Sequence, residues 1–144
     1  MLVKQILMSK GNDSVLTIRP DATVAEAARI LSERRIGCLV VSRDGTRADG
    51  VISERDIVRE MGLRGVGCFQ ERVEEMMTED VVTCGPSDEA VDVVTQMTEG
   101  RFRHLPVVEN GRMIGLISIG DVVKARLSEL AMEKDALEGM IAGR

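Results

Sequence analysis

Apolar residues recur along this chain with two patterns, one typical of helices and one typical of strands. Both patterns appear in the same order in its two halves. Between Val24 and Leu31 the apolar residues recur every three or four positions, which is the spacing of a helix with one buried face. Short apolar runs such as Cys38–Val41 are typical of buried strands. Pairs of such runs flank Asp44-Gly45 and Asn110-Gly111, which indicate hairpin turns. The pattern therefore predicts a unit of mixed helices and strands in each half.

An internal repeat organises the whole chain. Residues 15–45 align with residues 81–111 at an offset of 66, with eight identities that include Arg35 and Arg101. One extra residue in the loop 46–49 changes the offset to 65, and five further identities follow between residues 50 and 123. The lead-in Val3–Leu7 resembles Val73–Met77 at an offset of 70, and the four-residue difference predicts a longer loop near Lys10–Asp13. Self-similarity at one period indicates two copies of one supersecondary unit.

Each copy reads as a β-α-β-β-α unit, so we predict an α/β (α+β) fold in which each half contributes three strands. The predicted elements are a first strand (Val15–Pro20 and Val81–Pro86), a helix (Thr23–Arg34 in the first copy), a hairpin (Cys38–Val41 with Gly50–Ser53, and Leu105–Val108 with Met113–Ser118), and a second helix starting near Asp56 and Asp121. A half of about 60 residues buries too little surface to be stable alone. We therefore expect the two pseudo-symmetric copies to pack face to face. We divide the chain into a first repeat with its lead-in (1–68), a second repeat (69–126) and a C-terminal helix extension (127–144).

The C-terminal extension carries an apolar stripe of Leu127, Leu130, Leu137 and Ile141, which Lys134 interrupts. Such a stripe packs either on the core of its own chain or on the same helix of a second chain, because heptad-like spacing suits helix pairing. The residues leave both alternatives open. We expect a homodimer, since symmetric pairing is the commonest form of self-association.

Composition narrows the range of functions. The chain has 144 residues, a net charge of −5 and only two aromatic residues, so we expect no nucleic-acid partner. No apolar run approaches the roughly 20 residues that span a bilayer, so we expect no membrane partner. The spacing of Cys38, Cys68 and Cys84 fits neither a disulfide framework nor a metal site, which favours reduced thiols in the cytoplasm.

The most informative motif closes each repeat, as Ser53-Glu-Arg-Asp56 and Ser118-Ile-Gly-Asp121. A strand ends there and a helix begins, so exposed backbone N–H groups and the helix dipole form a natural anion site. The Asp can accept from the two hydroxyls of a ribose, and a nearby Arg can hold a phosphate in a bidentate manner. The simpler alternative is that both aspartates only cap helices.

We find no arrangement of residues that supports catalysis or metal binding. His104 is the only histidine, with no second ligand at metal spacing, and no nucleophile and base share a motif. The glycines of Gly62–Gly67 follow a helix rather than a strand, so they fit a linker between the repeats and not a dinucleotide loop. We therefore expect no enzymatic activity, no catalytic residue and no metal.

From Val3 to Lys124 the chain resembles a tandem CBS-domain pair, also called a Bateman module. The motifs that carry this resemblance are Thr17-Ile-Arg-Pro with Thr83-Cys-Gly-Pro, the strand Arg103-His-Leu-Pro-Val-Val, and Gly50-Val-Ile-Ser-Glu-Arg-Asp56 with Gly115-Leu-Ile-Ser-Ile-Gly-Asp121. The resemblance implies two nucleotide sites, each built from both copies. It assigns to one site Arg103, His104, Ser118 and Asp121 with Thr17, Ile36 and Gly37, and to the other Ser53, Arg55 and Asp56 with Thr83 and Phe102. Pro106 of the strand motif joins the set.

This resemblance implies a regulatory module that binds an adenosine nucleotide in clefts between the repeats. AMP is the first expected ligand, and ADP, ATP or NAD are alternatives. An effector protein would receive the signal. The competing hypothesis is a scaffold that dimerises without any ligand.

Overall fold

The computed structural model describes residues 1–11 and 15–143. The elements are α1 (Val3–Lys10), β1 (Thr17–Ile18), α2 (Val24–Arg34), β2 (Cys38–Val41), β3 (Gly50–Ser53), α3 (Glu54–Arg64), a 3₁₀ helix (Val66–Gln70), α4 (Val73–Met76), α5 (Ala90–Gly100), β4 (His104–Glu109), β5 (Arg112–Ser118) and α6 (Ile119–Ile141). The order is that of two mixed helix and strand repeats, as the sequence pattern predicts. Asn12 and Asp13 of the expected longer loop lie outside the described residues.

The first repeat forms a three-stranded sheet in which β1 is parallel to β2 and β2 is antiparallel to β3. The described part of the second repeat differs from the prediction of three strands. Its sheet consists of β4 and β5, and the segment expected as a third strand makes one parallel bridge, between Cys84 and Val107. The reason is Pro106, which stands where the first repeat has Val40. Because proline has no N–H, it cannot donate the next hydrogen bond of the ladder.

The lead-in helices cross from one repeat to the other. Val3 and Ile6 of α1 are buried in the core of the second repeat, whereas Val73 and Met76 of α4 are buried in the core of the first. Equivalent backbone hydrogen bonds fix both crossings: Lys4 N donates to Pro86 O at 2.9 Å, and Glu74 N donates to Pro20 O at 3.0 Å. Each repeat is therefore completed by a segment that precedes the other repeat in sequence.

Two repeated glycines allow these crossings. A Cβ on Gly50 would lie 2.5 Å from Met77 Sδ, and a Cβ on Gly115 would lie 2.7 Å from a methyl carbon of Leu7. Met77 and Leu7 are the matching residues that follow α4 and end the buried part of α1. Since no real Cβ approaches so closely, glycine at these positions lets the lead-in chain pass against the hairpin.

The two middle strands are buried on both faces, as expected for sheets that face each other. Leu39 and Val41 of β2 point into the core of the first repeat. Val40, on the opposite face of the same strand, is fully buried outside that core. In β4, Leu105 and Val107 enter the second core while Pro106 is buried between them on the other face. The seam between the repeats thus runs past Val40 and Pro106.

Candidate functional site

Two clefts open along the seam, and residues of both repeats line each one. The first, which we call the Asp56 cleft, has a volume of about 580 Å³, and the second, the Asp121 cleft, has a volume of about 520 Å³. The clefts correspond through the internal repeat. Val81, Arg101 and Phe102 line the Asp56 cleft at the positions where Val15, Arg35 and Ile36 line the Asp121 cleft.

In the Asp56 cleft, the closing motif forms a reciprocal helix cap. Ser53 Oγ accepts from Asp56 N at 3.2 Å, while Asp56 Oδ2 accepts from Ser53 N at 2.9 Å. The other carboxylate oxygen, Oδ1, accepts from Arg59 Nη2 at 2.9 Å. The Asp56 side chain is only 12% exposed, so burial and the ion pair hold it in place. The carboxylate is both a cap and a wall of the cleft.

The Asp121 cleft repeats this cap with a different cation. Asp121 N donates to Ser118 Oγ at 3.0 Å, and Asp121 Oδ2 accepts from Ser118 N at 2.9 Å. The same oxygen accepts from Lys10 Nζ, also at 2.9 Å. Burial alone would raise the pKa of Asp121, but the hydrogen bonds from Lys10 and Ser118 bring that pKa below its ordinary value. Among the described residues, Lys10 and Ser118 both donate to Oδ2, and none donates to Oδ1.

The two clefts differ in the charged residues that line them. The Asp56 cleft holds four arginines, and it also holds three carboxylates. The arginines are Arg55, Arg59, Arg101 and Arg103, and the carboxylates are Glu54, Asp56 and Asp80. Among the described residues, the Asp121 cleft holds three cations, Lys10, Arg34 and Arg35, and one carboxylate, that of Asp121. Both clefts therefore carry cations near a carboxylate, which suits a ligand that presents hydroxyls and phosphate together.

Gly37, Cys38 and His104 line both clefts and so lie between them. A Cβ on Gly37 would lie 3.7 Å from His104 Cε1, an ordinary van der Waals distance, so Gly37 lies directly beside the imidazole. Burial lowers the pKa of His104 more than the nearby Asp121 raises it. Burial, with a contribution from Asp56, raises the pKa of the Cys38 thiol to about 12, so this thiol is not a nucleophile at neutral pH.

The structure brings most of the expected site residues to a cleft. The Asp56 cleft contains Ser53, Arg55, Asp56, Phe102 and Pro106, together with Gly37, Arg103 and His104. The Asp121 cleft contains Ile36, Gly37, His104, Ser118 and Asp121. Arg103 thus lines the cleft opposite to the one to which the resemblance assigned it. Thr17 and Thr83 line neither cleft; the chain just before each of them, Leu16 and Val82, does.

The sequence reasoning missed several charged residues of the clefts: Lys10, Arg34, Arg35, Arg59, Asp80 and Arg101. One signal was present. Arg35 and Arg101 are identical in the two copies, and both adopt the left-handed conformation, with φ of 54° and 59°, as the residue that ends a helix. The helix end explains the shared conformation, because each N–H bonds back to a carbonyl of its own helix, so the identity of the two arginines was the signal in the sequence.

Within residues 1–11 and 15–143, no cluster of His, Cys, Asp and Glu side chains could hold a metal ion. None of the helices described is long and apolar enough to cross a membrane.

Comparison with known proteins identifies this arrangement. The sequence model of the CBS domain matches twice, at residues 3–63 and 73–128. The mitochondrial CBS domain-containing protein CBSX3 of Arabidopsis thaliana is 33% identical over 98% of this chain and 72% of its own length.

Solved structures show the same architecture. The CBS-domain containing protein ATU1752 from Agrobacterium tumefaciens is 42% identical, with a TM-score of 0.83 over 88% of this chain and 99% of that one. The CBS domain protein PAE2072 from Pyrobaculum aerophilum, solved in complex with AMP, is 28% identical, with a TM-score of 0.77 over 92% of this chain and 99% of that one. CBS-domain pairs are in general regulatory modules without catalytic activity. The chain belongs to the CBS-domain family, and it carries the two domains as a tandem pair.

Proposed function

We propose that this protein is a regulatory module that binds an adenosine nucleotide, AMP in the first place, in each of its two clefts. One observation carries the proposal: the repeat builds two equivalent clefts, and each places a Ser-capped helix N-terminus and its aspartate opposite an apolar wall from the other repeat. This combination offers a separate surface to the phosphate, the ribose and the base of one ligand.

The aspartates are the proposed ribose ligands. In the Asp121 cleft, capping and the Lys10 ion pair both use Oδ2, so Oδ1 can accept from a ribose hydroxyl without disturbing the helix cap. In the Asp56 cleft Arg59 already donates to Oδ1, and a ribose hydroxyl would share that oxygen. A carboxylate oxygen has two lone pairs, so this sharing is allowed. Capping and ribose binding are therefore compatible roles.

The cations are the proposed phosphate ligands, and the apolar residues are the proposed base pocket. Arg55 lies in the first turn of α3, at the positive end of the helix dipole, in the Asp56 cleft. Val82 and Phe102 supply the apolar wall of the same cleft, and Leu16 and Ile36 supply it in the other. ADP, ATP and NAD present the same adenosine group with more phosphate, so they are the next candidates.

Support for AMP comes from the Pyrobaculum aerophilum protein, which shares 28% identity and the fold and was solved with AMP. Binding at a seam between two repeats gives a physical basis for regulation. A ligand that touches both repeats favours the relative orientation that it fits better, and its differential affinity supplies the free energy of the change. We propose that an effector protein in the cytoplasm reads this change.

Isothermal titration calorimetry with AMP tests the proposal. Removing a charge-assisted hydrogen bond costs roughly 1.5–3 kcal/mol, so Asp121→Asn or Asp56→Asn should weaken AMP binding at its own cleft by about tenfold to a hundredfold. Asp88→Asn is the matched control, because Asp88 also accepts from a loop N–H, that of Gly85 at 2.7 Å, but lines neither cleft.

The outcomes distinguish the alternatives. A folded Asp56/Asp121 double variant that binds AMP as tightly as the parent would show that both aspartates only cap helices. A parent protein that binds none of AMP, ADP, ATP and NAD would refute the nucleotide proposal and leave the ligand-independent scaffold.

A further inference from the structure

The C-terminal half of α6 extends away from the core of its own chain. Val122 is the buried residue of this helix, and Ala125 is the last of its residues to pack against the second core. Beyond it the apolar side chains are exposed, from Leu127 at 62% to Ile141 at 81%. Residues 126–141 thus form about four helical turns that contact no core within the described part of the chain. These turns continue a helix that is already docked, but in the described part of the chain their apolar side chains remain exposed to water.

The exposed face has the spacing of a helix that pairs with another helix. Val123, Leu127, Leu130, Leu137 and Ile141 follow each other at intervals of four, three, seven and four residues. Lys134 occupies the one position missing from this series. The repeat is that of the a and d positions of a heptad, sustained over the whole exposed part of α6. This face, which we call the α6 seam, comprises Val123, Leu127, Leu130, Lys134, Leu137 and Ile141.

We propose that the α6 seam binds the α6 seam of a second copy of this chain, with the two helices antiparallel. Charge disfavours the parallel arrangement. In a parallel pair each a position faces its own copy, so Lys134 would lie against the partner's Lys134 inside the apolar seam. The flanking positions would also place Glu133 opposite the partner's Glu138. Both contacts bring like charges together at the interface.

The antiparallel arrangement separates the two lysines. On one flank it places Glu133 opposite the partner's Glu133, a single like-charge contact in place of two, and Arg126 of the same helix lies 4.0 Å from the Glu133 carboxylate. It pairs Leu127 with the partner's Leu137, and it places Lys134 beside the partner's Leu130. The two lysines then lie in different layers, where the long aliphatic stem of each covers apolar surface and its ammonium reaches water. On the other flank, Lys124 faces the partner's Glu138, which joins opposite charges twice in a symmetric pair. This surface does not depend on the nucleotide proposal.

Disulfide trapping tests the direction of pairing. The double variant Leu127→Cys/Leu137→Cys should form a covalent dimer under mild oxidation, because these positions face each other between antiparallel chains. The single variant Leu127→Cys is the matched control and should remain monomeric on a denaturing gel. The native Cys38, Cys68 and Cys84 are buried and leave the background low. A covalent dimer of the single variant would show parallel pairing, and no dimer of the double variant would show no pairing at this seam; either result overturns the proposal.

Hydrogen exchange measures the effect on the helix itself. In the full-length parent at micromolar concentration, the amides of residues 126–141 should be protected, and Leu130→Glu should reduce this protection at least tenfold. Met132→Glu is the control, since Met132 lies on the outer face of α6, is 69% exposed and should leave protection unchanged. Equal protection of these amides in the parent and in Leu130→Glu would refute the proposal, even if two copies of the chain associate through another surface.

Discussion

The Asp56 and Asp121 clefts share one frame and obtain their charge in different ways. In both, a Ser-x-x-Asp cap closes a strand and opens a helix, with almost the same hydrogen-bond lengths. The cation on Asp56 is Arg59, which lies three residues further along the same helix. The cation on Asp121 is Lys10, which lies 111 residues away in sequence on a helix that precedes the other repeat. The comparison shows that the repeat retains the frame needed for folding, while the charges vary around it.

This difference has a structural consequence. The ion pair of the Asp56 cleft forms whenever α3 forms. The ion pair of the Asp121 cleft requires α1 to dock against β5 and α6. It therefore forms only when the lead-in helix α1 has crossed to the second repeat. Changes to cleft charges should therefore act on one cleft at a time, whereas changes to the crossings should act on the whole fold.

The largest expected effect comes from removing one cation from each cleft. Arg103→Ala should weaken AMP binding in the Asp56 cleft by about tenfold to a hundredfold and reduce the distinction between AMP and ADP there, because a charge-assisted bond to phosphate is lost. Lys10→Ala should weaken binding in the Asp121 cleft alone. Calorimetry on each variant, in a background whose other cleft is disabled by Asp→Asn, separates the two sites. Arg112→Ala, on β5 and outside both clefts, is the control; losses at both clefts from either variant would contradict the comparison.

A second comparison concerns the two crossings. Gly50→Ala would bring a Cβ within 2.5 Å of Met77 Sδ and 3.1 Å of Thr78 O, and Gly115→Ala would bring one within 2.7 Å of Leu7. Each should lower the free energy of unfolding by about 1–3 kcal/mol, the usual cost of overpacking. Gly50→Ala should cost more, because the backbone oxygen of Thr78 cannot move aside.

Urea denaturation measures this pair of variants. Gly62→Ala is the control, since Gly62 lies inside α3 with nothing within 4 Å of an added Cβ, so alanine should stabilise the helix there. If both Gly50 and Gly115 tolerated alanine without loss of stability, the close approach of the lead-in segments would not be needed for folding.

The internal repeat predicted the β-α-β-β-α order of the first repeat and both hairpins, because each copy served as a check on the other. It predicted neither the helical lead-ins α1 and α4 nor the loss of the first strand in the second repeat. Cys38–Val41 and Gly50–Ser53 are strands as predicted, and α6 extends through Ile141. The repeat alignment could not reveal that α1 packs on the other repeat, since two similar lead-ins align in the same way whether or not they cross. For the same reason Lys10 was missed as a cleft residue.

Arg103 illustrates the second limit of the sequence. Its neighbour His104 lines both clefts, but Arg103 lines only the Asp56 cleft. In a strand, successive side chains point to opposite faces, and the segment before β4 is too short for the pattern to tell which cleft each one reaches.

A smaller effect on stability is expected at Pro106, where the sheet of the second repeat lacks the third strand that the first repeat has. Pro106→Val would supply an amide at position 106, where Val40 has one in the first repeat, and would let the ladder continue to the carbonyl of Val82. The added hydrogen bond is worth about 0.5–1.5 kcal/mol, partly offset by the greater freedom of the unfolded chain without proline. Hydrogen exchange should find the new amide protected. An exposed, rapidly exchanging amide would show that proline is not what shortens the third strand.

The smallest expected effect tests whether the clefts share His104. Burial lowers the pKa of this imidazole below its ordinary 6.5; among the charged groups that face it, Asp121 and Glu54 raise the pKa while Lys10 and Arg103 lower it. The unfolded chain therefore binds a proton more readily than the folded one. The free energy of unfolding should be highest above pH 6.5 and should fall as the pH drops through the lowered pKa.

Urea titrations at several pH values from 7.5 to about 5 measure this dependence. His104→Gln should flatten it, because glutamine keeps a similar size without a proton to gain. AMP in either cleft should bring phosphate close to the imidazolium and raise its pKa, so binding near pH 6 should take up a proton in the parent. Calorimetry in two buffers of different ionisation enthalpy detects that proton, and His104→Gln should abolish it. If His104→Gln still took up a proton on binding AMP, the titrating group would be another residue, and His104 would not couple the two clefts.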